Sequence, residues 1–80
     1  MQLYVIQDTL SKQSTPIFIE RNEDTARRSF QGFLKSTEGM PPPSDYDLFL
    51  LGEYDPVTLV ILSCHPNHVV NGASLEASNV

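Results

Sequence analysis

The sequence is poor in the residues that staple, activate or anchor a small protein. It has no tryptophan and one cysteine, Cys64, so no disulfide can form within the chain. A lone thiol fits a reducing compartment better than a secreted scaffold. Its four glycines, Gly32, Gly39, Gly52 and Gly72, are scattered, so no glycine-rich loop can cradle a phosphate. No apolar run approaches the roughly 18 residues of a membrane span. The start, MQLYVIQDTL, lacks the basic and apolar regions of a signal peptide. The expectation is a soluble cytosolic protein with no membrane contact. After Lys35 there is no lysine or arginine at all.

That last absence divides the chain electrostatically. Residues 1–37 hold five cations against four acids, whereas residues 38–80 hold six acids and no cation. The formal net charge of −5 opposes indiscriminate binding to DNA or anionic membranes. Only the first half can supply a basic patch. With 80 residues the chain is one domain, and such a chain buries only about 60% of its unfolded surface. Chains this small often gain stability from oligomerisation.

The apolar pattern reads as ββαββ, an α+β fold: a four-stranded, mainly antiparallel sheet with one helix on one face. Leu3–Ile6 are strand formers, TLSKQST is a polar loop, and Pro16 opens a second strand through Ile17–Glu20. The first two strands are expected to pair as an antiparallel hairpin. Asn22 is an N-cap, followed by Glu23 and Asp24, which suit the positive end of a helix dipole. Ala26, Phe30, Phe33 and Leu34 then fall on one helical face. The helix should close near Thr37, with Gly39 free for a left-handed turn and Met40–Ser44 as a stiff connector. Asp45–Asp55 and Thr58–Ser63 form the last two strands around an Asp55-Pro56 turn, with Gly52 marking a bulge. The domain spans 1–64, and 65–80 is expected to be a loosely structured tail.

The strands carry apolar residues on both faces. Leu48 and Leu50 oppose Phe49 and Leu51; Leu59 and Ile61 oppose Val60 and Leu62; Leu3 and Val5 oppose Tyr4 and Ile6. One helix covers one face, and soluble monomers rarely leave the other bare. The expected solution is self-association as a homodimer or larger closed assembly, through Leu48, Leu50, Val60 and Leu62. The alternative is that the tail, with Val69, Val70 and Leu75, folds over the second face.

Candidate chemistry is sparse. Cys64, His65 and His68 form one cluster, where structural zinc sites normally use four ligands in separated pairs. Cys64 and His65 are adjacent strand residues facing opposite ways, a poor nucleophile and base. Asp45 with Asp47, and Glu53 with Asp55, could bind a cation but also suit solvated strand ends. Neither an enzyme nor a cofactor is expected. Arg21, Arg27, Arg28 and Lys35 are the candidate phosphate contacts; Arg28 and Lys35 lie two helical turns apart on nearly one side. Tyr4, Phe18, Tyr46 and Tyr54 are strand aromatics that could stack bases if exposed.

Several segments, in order, resemble a known family. Leu3-Tyr4-Val5-Ile6-Gln7-Asp8, Phe18 with Arg21-Asn22, Ala26-Arg27-Arg28-Ser29-Phe30, Asp45-Tyr46-Asp47-Leu48 and Leu51-Gly52-Glu53-Tyr54-Asp55 are similar to the small nonstructural protein of gokushoviruses, single-stranded-DNA phages of the Microviridae. The resemblance covers residues 1 to about 62. It implies a protein of the infected bacterium's cytoplasm that binds single-stranded DNA in genome replication or at the switch to packaging. The alternative partner is a phage or host protein, engaged by an acidic oligomer that imitates DNA charge.

Overall fold

The computed structural model describes residues 1–37 and 42–78, with side chains through residue 75. The elements run β1 (Gln2–Asp8), β2 (Gln13–Ser14), β3 (Phe18–Glu20), α1 (Glu23–Ser36), a 3₁₀ turn at Pro43–Asp45, β4 (Tyr46–Tyr54), β5 (Ile61–Asn71) and α2 (Gly72–Ser78). The expected antiparallel α+β sheet is present. β1 lies at its centre, with β4 on one side and β5 beyond it, while β2 and β3 share the other side of β1.

The expected second strand starts at Phe18, and a further short strand, β2, forms inside the TLSKQST stretch expected to be loop. Proline has no N–H to donate, and around Pro16 the ladder to β1 lapses. β2 pairs Gln7 with Ser14, β3 pairs Leu3 with Ile19, and Thr15 fills the gap. The Thr15 amide donates to the Ile6 carbonyl (2.9 Å), and its hydroxyl accepts from the Ile6 amide (3.1 Å).

Helix α1 forms as its sequence dictates. Asn22 caps it by accepting from the Thr25 amide (3.0 Å), and the Thr25 hydroxyl accepts from the Asn22 amide in return, a reciprocal capping box. Ala26, Phe30 and Leu34 are buried on one stripe. They meet Tyr4, Ile6, Tyr46 and Leu48 on the sheet, with Phe33 edge-on to the Tyr46 ring at 5.1 Å between centroids. Tyr4, Phe30 and Leu48 are the largest fully buried side chains. The expectations for Gly39 and for the start of the proline connector lie outside the described residues.

The tail is where the structure departs most from expectation. Residues 65–71 continue β5, and 72–78 form α2. Val70 and Leu75 are buried beside Leu34 and Tyr46. They thicken the cover of the face that α1 already shields and leave the second face open. The strand survives Pro66 because β5 is the outer strand, where a missing N–H costs no ladder bond. It also survives by bulging. Between the pairs Leu50↔Asn67 and Gly52↔Ser63, β5 fits Cys64, His65 and Pro66 opposite Leu51, and Val69 is a further insertion. Asn71 locks the end of the strand, its side-chain amide donating to the Ser44 carbonyl (2.9 Å), the Tyr46 carbonyl (3.3 Å) and the Asp47 carboxylate (3.0 Å).

Two glycines permit close approaches. A Cβ on Gly52 would lie 2.2 Å from the Leu62 carbonyl oxygen, and one on Gly72 would lie 2.3 Å from that of Pro43. Gly52 sits where the β4 ladders to β1 and to β5 both shift register, as expected of a bulge. Gly52→Ala is expected to destabilise the fold by about 2 kcal/mol, read by denaturant unfolding. Leu75→Ala should cost about 2–4 kcal/mol, as a core leucine does, whereas in a loose tail the change would stay within about 0.5 kcal/mol.

Candidate nucleic-acid and assembly surfaces

The cations gather around α1, on the side of the molecule opposite the bare sheet face. Arg21 is exposed just before the helix, Arg28 is exposed within it, and Lys35 is exposed in its last turn. Arg27 is half-buried, and its Nε donates to Glu23 at 3.1 Å. The glutamate stands one turn N-terminal to the arginine, the favourable order for such a pair. The helix N-terminus is already satisfied by Asn22 and flanked by Glu23 and Asp24, so a phosphate would find no open site there. The basic surface around α1 therefore consists of Arg21, Arg28 and Lys35, with Arg27 partly neutralised; the fifth cation, Lys12, is exposed in the turn between β1 and β2.

The strand aromatics do not form a stacking platform. Tyr4 and Tyr46 lie in the core, and Phe18 is half-buried, stacked on Tyr4 at 6.2 Å between centroids. Burial pushes the Tyr4 phenol above its ordinary pKa of 10, and the nearby Glu23 and Glu20 add to the shift. Tyr54 is half-buried near the far end of β4. The aromatic that does reach the bare face is Phe49, whose ring meets His68 edge-on at 5.5 Å. His68 Nε2 lies 2.7 Å from Asp47 Oδ1. The Cys64 thiol is exposed and donates to the Leu50 carbonyl at 3.8 Å. Among the described residues, no group of three His, Cys, Asp or Glu could hold a metal ion.

The four proposed assembly residues separate. Leu48 is fully buried under α1, which leaves it no surface for a second copy, and Leu50 is partly buried against the same core. Parity explains the correction. Leu48 and Leu50 pair with Ile6 and Tyr4, the face that α1 takes. The bare face carries Leu3, Val5, Phe49 and Leu51 instead. Leu3 and Val5 lie outside the helix-covered core cluster but are themselves buried, so the open part of this face is at Ile17, Phe49 and Leu51. A groove of about 300 Å³ runs over this face, lined by Val5, Ile17, Phe49, Leu51 and Pro66 and by three uncharged polar residues.

Val60 and Leu62 are exposed, as an assembly role requires. They belong to an arm, the β4–β5 hairpin tip, in which every residue from Asp55 to Pro66 is exposed. The arm contributes to a radius of gyration of 12.8 Å, against about 11.6 Å for a compact chain of this length. Its turn is closed by the Leu59 amide donating to the Asp55 carbonyl (2.8 Å) and the Asp55 amide donating to that of Val60 (3.0 Å).

The amino-acid sequence matches the family described as phage ORF5 protein over residues 1–75. The chain belongs to that phage protein family. No curated protein and no solved structure matches it significantly. In this phage family member the matched region takes in both the basic helix and the apolar arm, and it ends at Leu75, a core residue of α2. Among the described residues, no helix is long and apolar enough to cross a membrane.

The turn of the arm has its own acid dependence. The Val57 and Thr58 amides donate to Asp55 Oδ1, and these bonds hold the carboxyl below its ordinary pKa of 3.8. The stabilisation they bring is complete above the ordinary value and disappears as pH falls through the lower folded value. An NMR titration of the Asp55 carboxyl should give a midpoint below 3.8. A midpoint at or above it would show that these bonds do not hold the turn in solution.

Proposed function

We propose that this chain is a nonstructural phage protein of the gokushovirus type, within the Microviridae. In this reading it binds single-stranded DNA in the bacterial cytoplasm during genome replication or at the switch to packaging. The observation that carries the reading is the placement of charge. Arg21, Arg28 and Lys35 are exposed around a helix whose opposite side is committed to the core. A surface of this kind contacts phosphates and reads no sequence. With Tyr4 and Tyr46 in the core and Tyr54 half-buried, stacking adds little, so affinity rests on ion pairing and avidity. Association of copies through the bare sheet face leaves every α1 pointing outward, and repetition of a weak basic patch raises avidity on one strand.

The alternative is an acidic module that binds a phage or host protein, in part by imitating DNA charge. It draws on the six acids and absent cations of residues 38–80 and on the exposed apolar arm.

Titration of a labelled single-stranded oligonucleotide separates the two. Three phosphate contacts per copy predict that affinity falls roughly 20-fold between 50 and 200 mM salt. Arg28→Ala combined with Lys35→Ala should weaken binding more than Arg27→Ala, because Glu23 already holds Arg27. Absence of binding at low salt would overturn the DNA reading and leave the protein-binding one.

A further inference from the structure

We propose that Asn71 is a modification site: it deamidates spontaneously when the β5–α2 junction opens, and the product keeps the junction from closing again. The inference rests on the junction alone and is independent of DNA binding.

Asn71 precedes Gly72, and no other asparagine of the chain precedes a glycine. Glycine has no side chain to hinder the backbone and reaches conformations closed to other residues. Its amide nitrogen is therefore the least obstructed nucleophile an asparagine can have beside it. The deprotonated Gly72 nitrogen attacks Asn71 Cγ. The N–Cγ bond forms, the Cγ–Nδ2 bond breaks, and ammonia leaves. Water then opens the cyclic imide to a carboxylate, on either the normal or the isomerised backbone. Water is the one co-reactant, and nothing is oxidised or reduced.

The packing requires both members of this dipeptide. At Gly72 a Cβ would lie 2.3 Å from the Pro43 carbonyl oxygen, so the helix start cannot carry a side chain. At Asn71 both ends of the amide are used. Nδ2 donates to the Ser44 carbonyl (2.9 Å), the Tyr46 carbonyl (3.3 Å) and Asp47 Oδ1 (3.0 Å). Oδ1 accepts from the Ala73 amide (2.9 Å) and so caps α2. These contacts hold the side chain against the rotation that would bring Cγ onto the Gly72 nitrogen. Gly72 is itself buried. The closed junction is thus protected, and the reaction proceeds from molecules in which it has opened.

The product cannot restore these contacts. A carboxylate accepts hydrogen bonds and donates none. The Ser44 and Tyr46 carbonyls lose their donor. Asp47 Oδ1, already bonded to His68 Nε2 at 2.7 Å, would meet a second carboxylate oxygen of like charge. The isomerised form also lengthens the backbone where Gly72 abuts Pro43. Val70 and Leu75, which flank the junction, belong to the core, so the change loosens the cover of the sheet as well as the strand end.

Mass spectrometry of peptides from chain incubated in native buffer and in urea tests the inference. Asn71 should convert in urea, and at least about tenfold more slowly in the native chain. Leu75→Ala loosens α2 and should raise the native rate. Asn71→Asp keeps the acceptor that caps α2 and lacks only the donors, so it should raise the unfolding equilibrium constant at least about tenfold. Asn67→Asp adds the same charge at an exposed position of β5 and should change that constant less than about threefold. Native conversion as fast as conversion in urea overturns the inference, as does an absence of conversion in urea. So does an Asn71→Asp chain as stable as Asn67→Asp. If Asn71→Asp does not fold, the rates in the wild-type and Leu75→Ala chains decide, and a native rate that Leu75→Ala leaves unchanged overturns it.

Discussion

The structure depends on an imbalance: a sheet apolar on both faces and cover for only one. Tyr4, Ile6 and Leu48 are sealed by Phe30 of α1 and by Leu75 of α2, and that single packed layer holds β1, β4 and β5 together. Among the described residues, no helix packs on the other side. Leu3 and Val5 are buried, while Phe49 and Leu51 line an open groove. The same arrangement fixes where charge can go. Because α1 must turn Ala26, Phe30 and Leu34 inward, its arginines and Lys35 face solvent on the side opposite the groove.

This separation lets two roles share a small fold. The helix side offers a few cations to phosphates, and the sheet side offers apolar surface to another protein surface. Neither requires a preorganised pocket, a metal or a nucleophile. The arm links them mechanically, since it grows from β4 and β5 at the Gly52 bulge, where the sheet itself changes register.

Much of this was legible in the residues. Asn22, the acids after it and the spacing of Ala26, Phe30 and Leu34 set α1 to within a residue at each end. Both-sided apolar alternation flagged the uncovered face, but alternation alone could not say which face the helix would choose. That is why Leu48 and Leu50 read as contact residues and Tyr4 and Tyr46 as base-stacking candidates. Beyond Ser63 the pattern dissolved for a physical reason. Cys64, His65 and Pro66 bulge out of register and Val69 resets it again, so a continuous strand carries no continuous period. Val69-Val70 and Leu75 were the surviving signal, apolar residues in a stretch that otherwise resembled a solvated tail.

The central claim is that the exposed cations around α1 meet phosphate while the sheet side of the molecule does not. Chemical-shift mapping during titration with a single-stranded oligonucleotide tests it most directly. The account predicts shifts around Arg21, Arg28 and Lys35 and none at the methyls of Leu51 or Leu62. Shifts on the sheet side with none around the helix cations would contradict it.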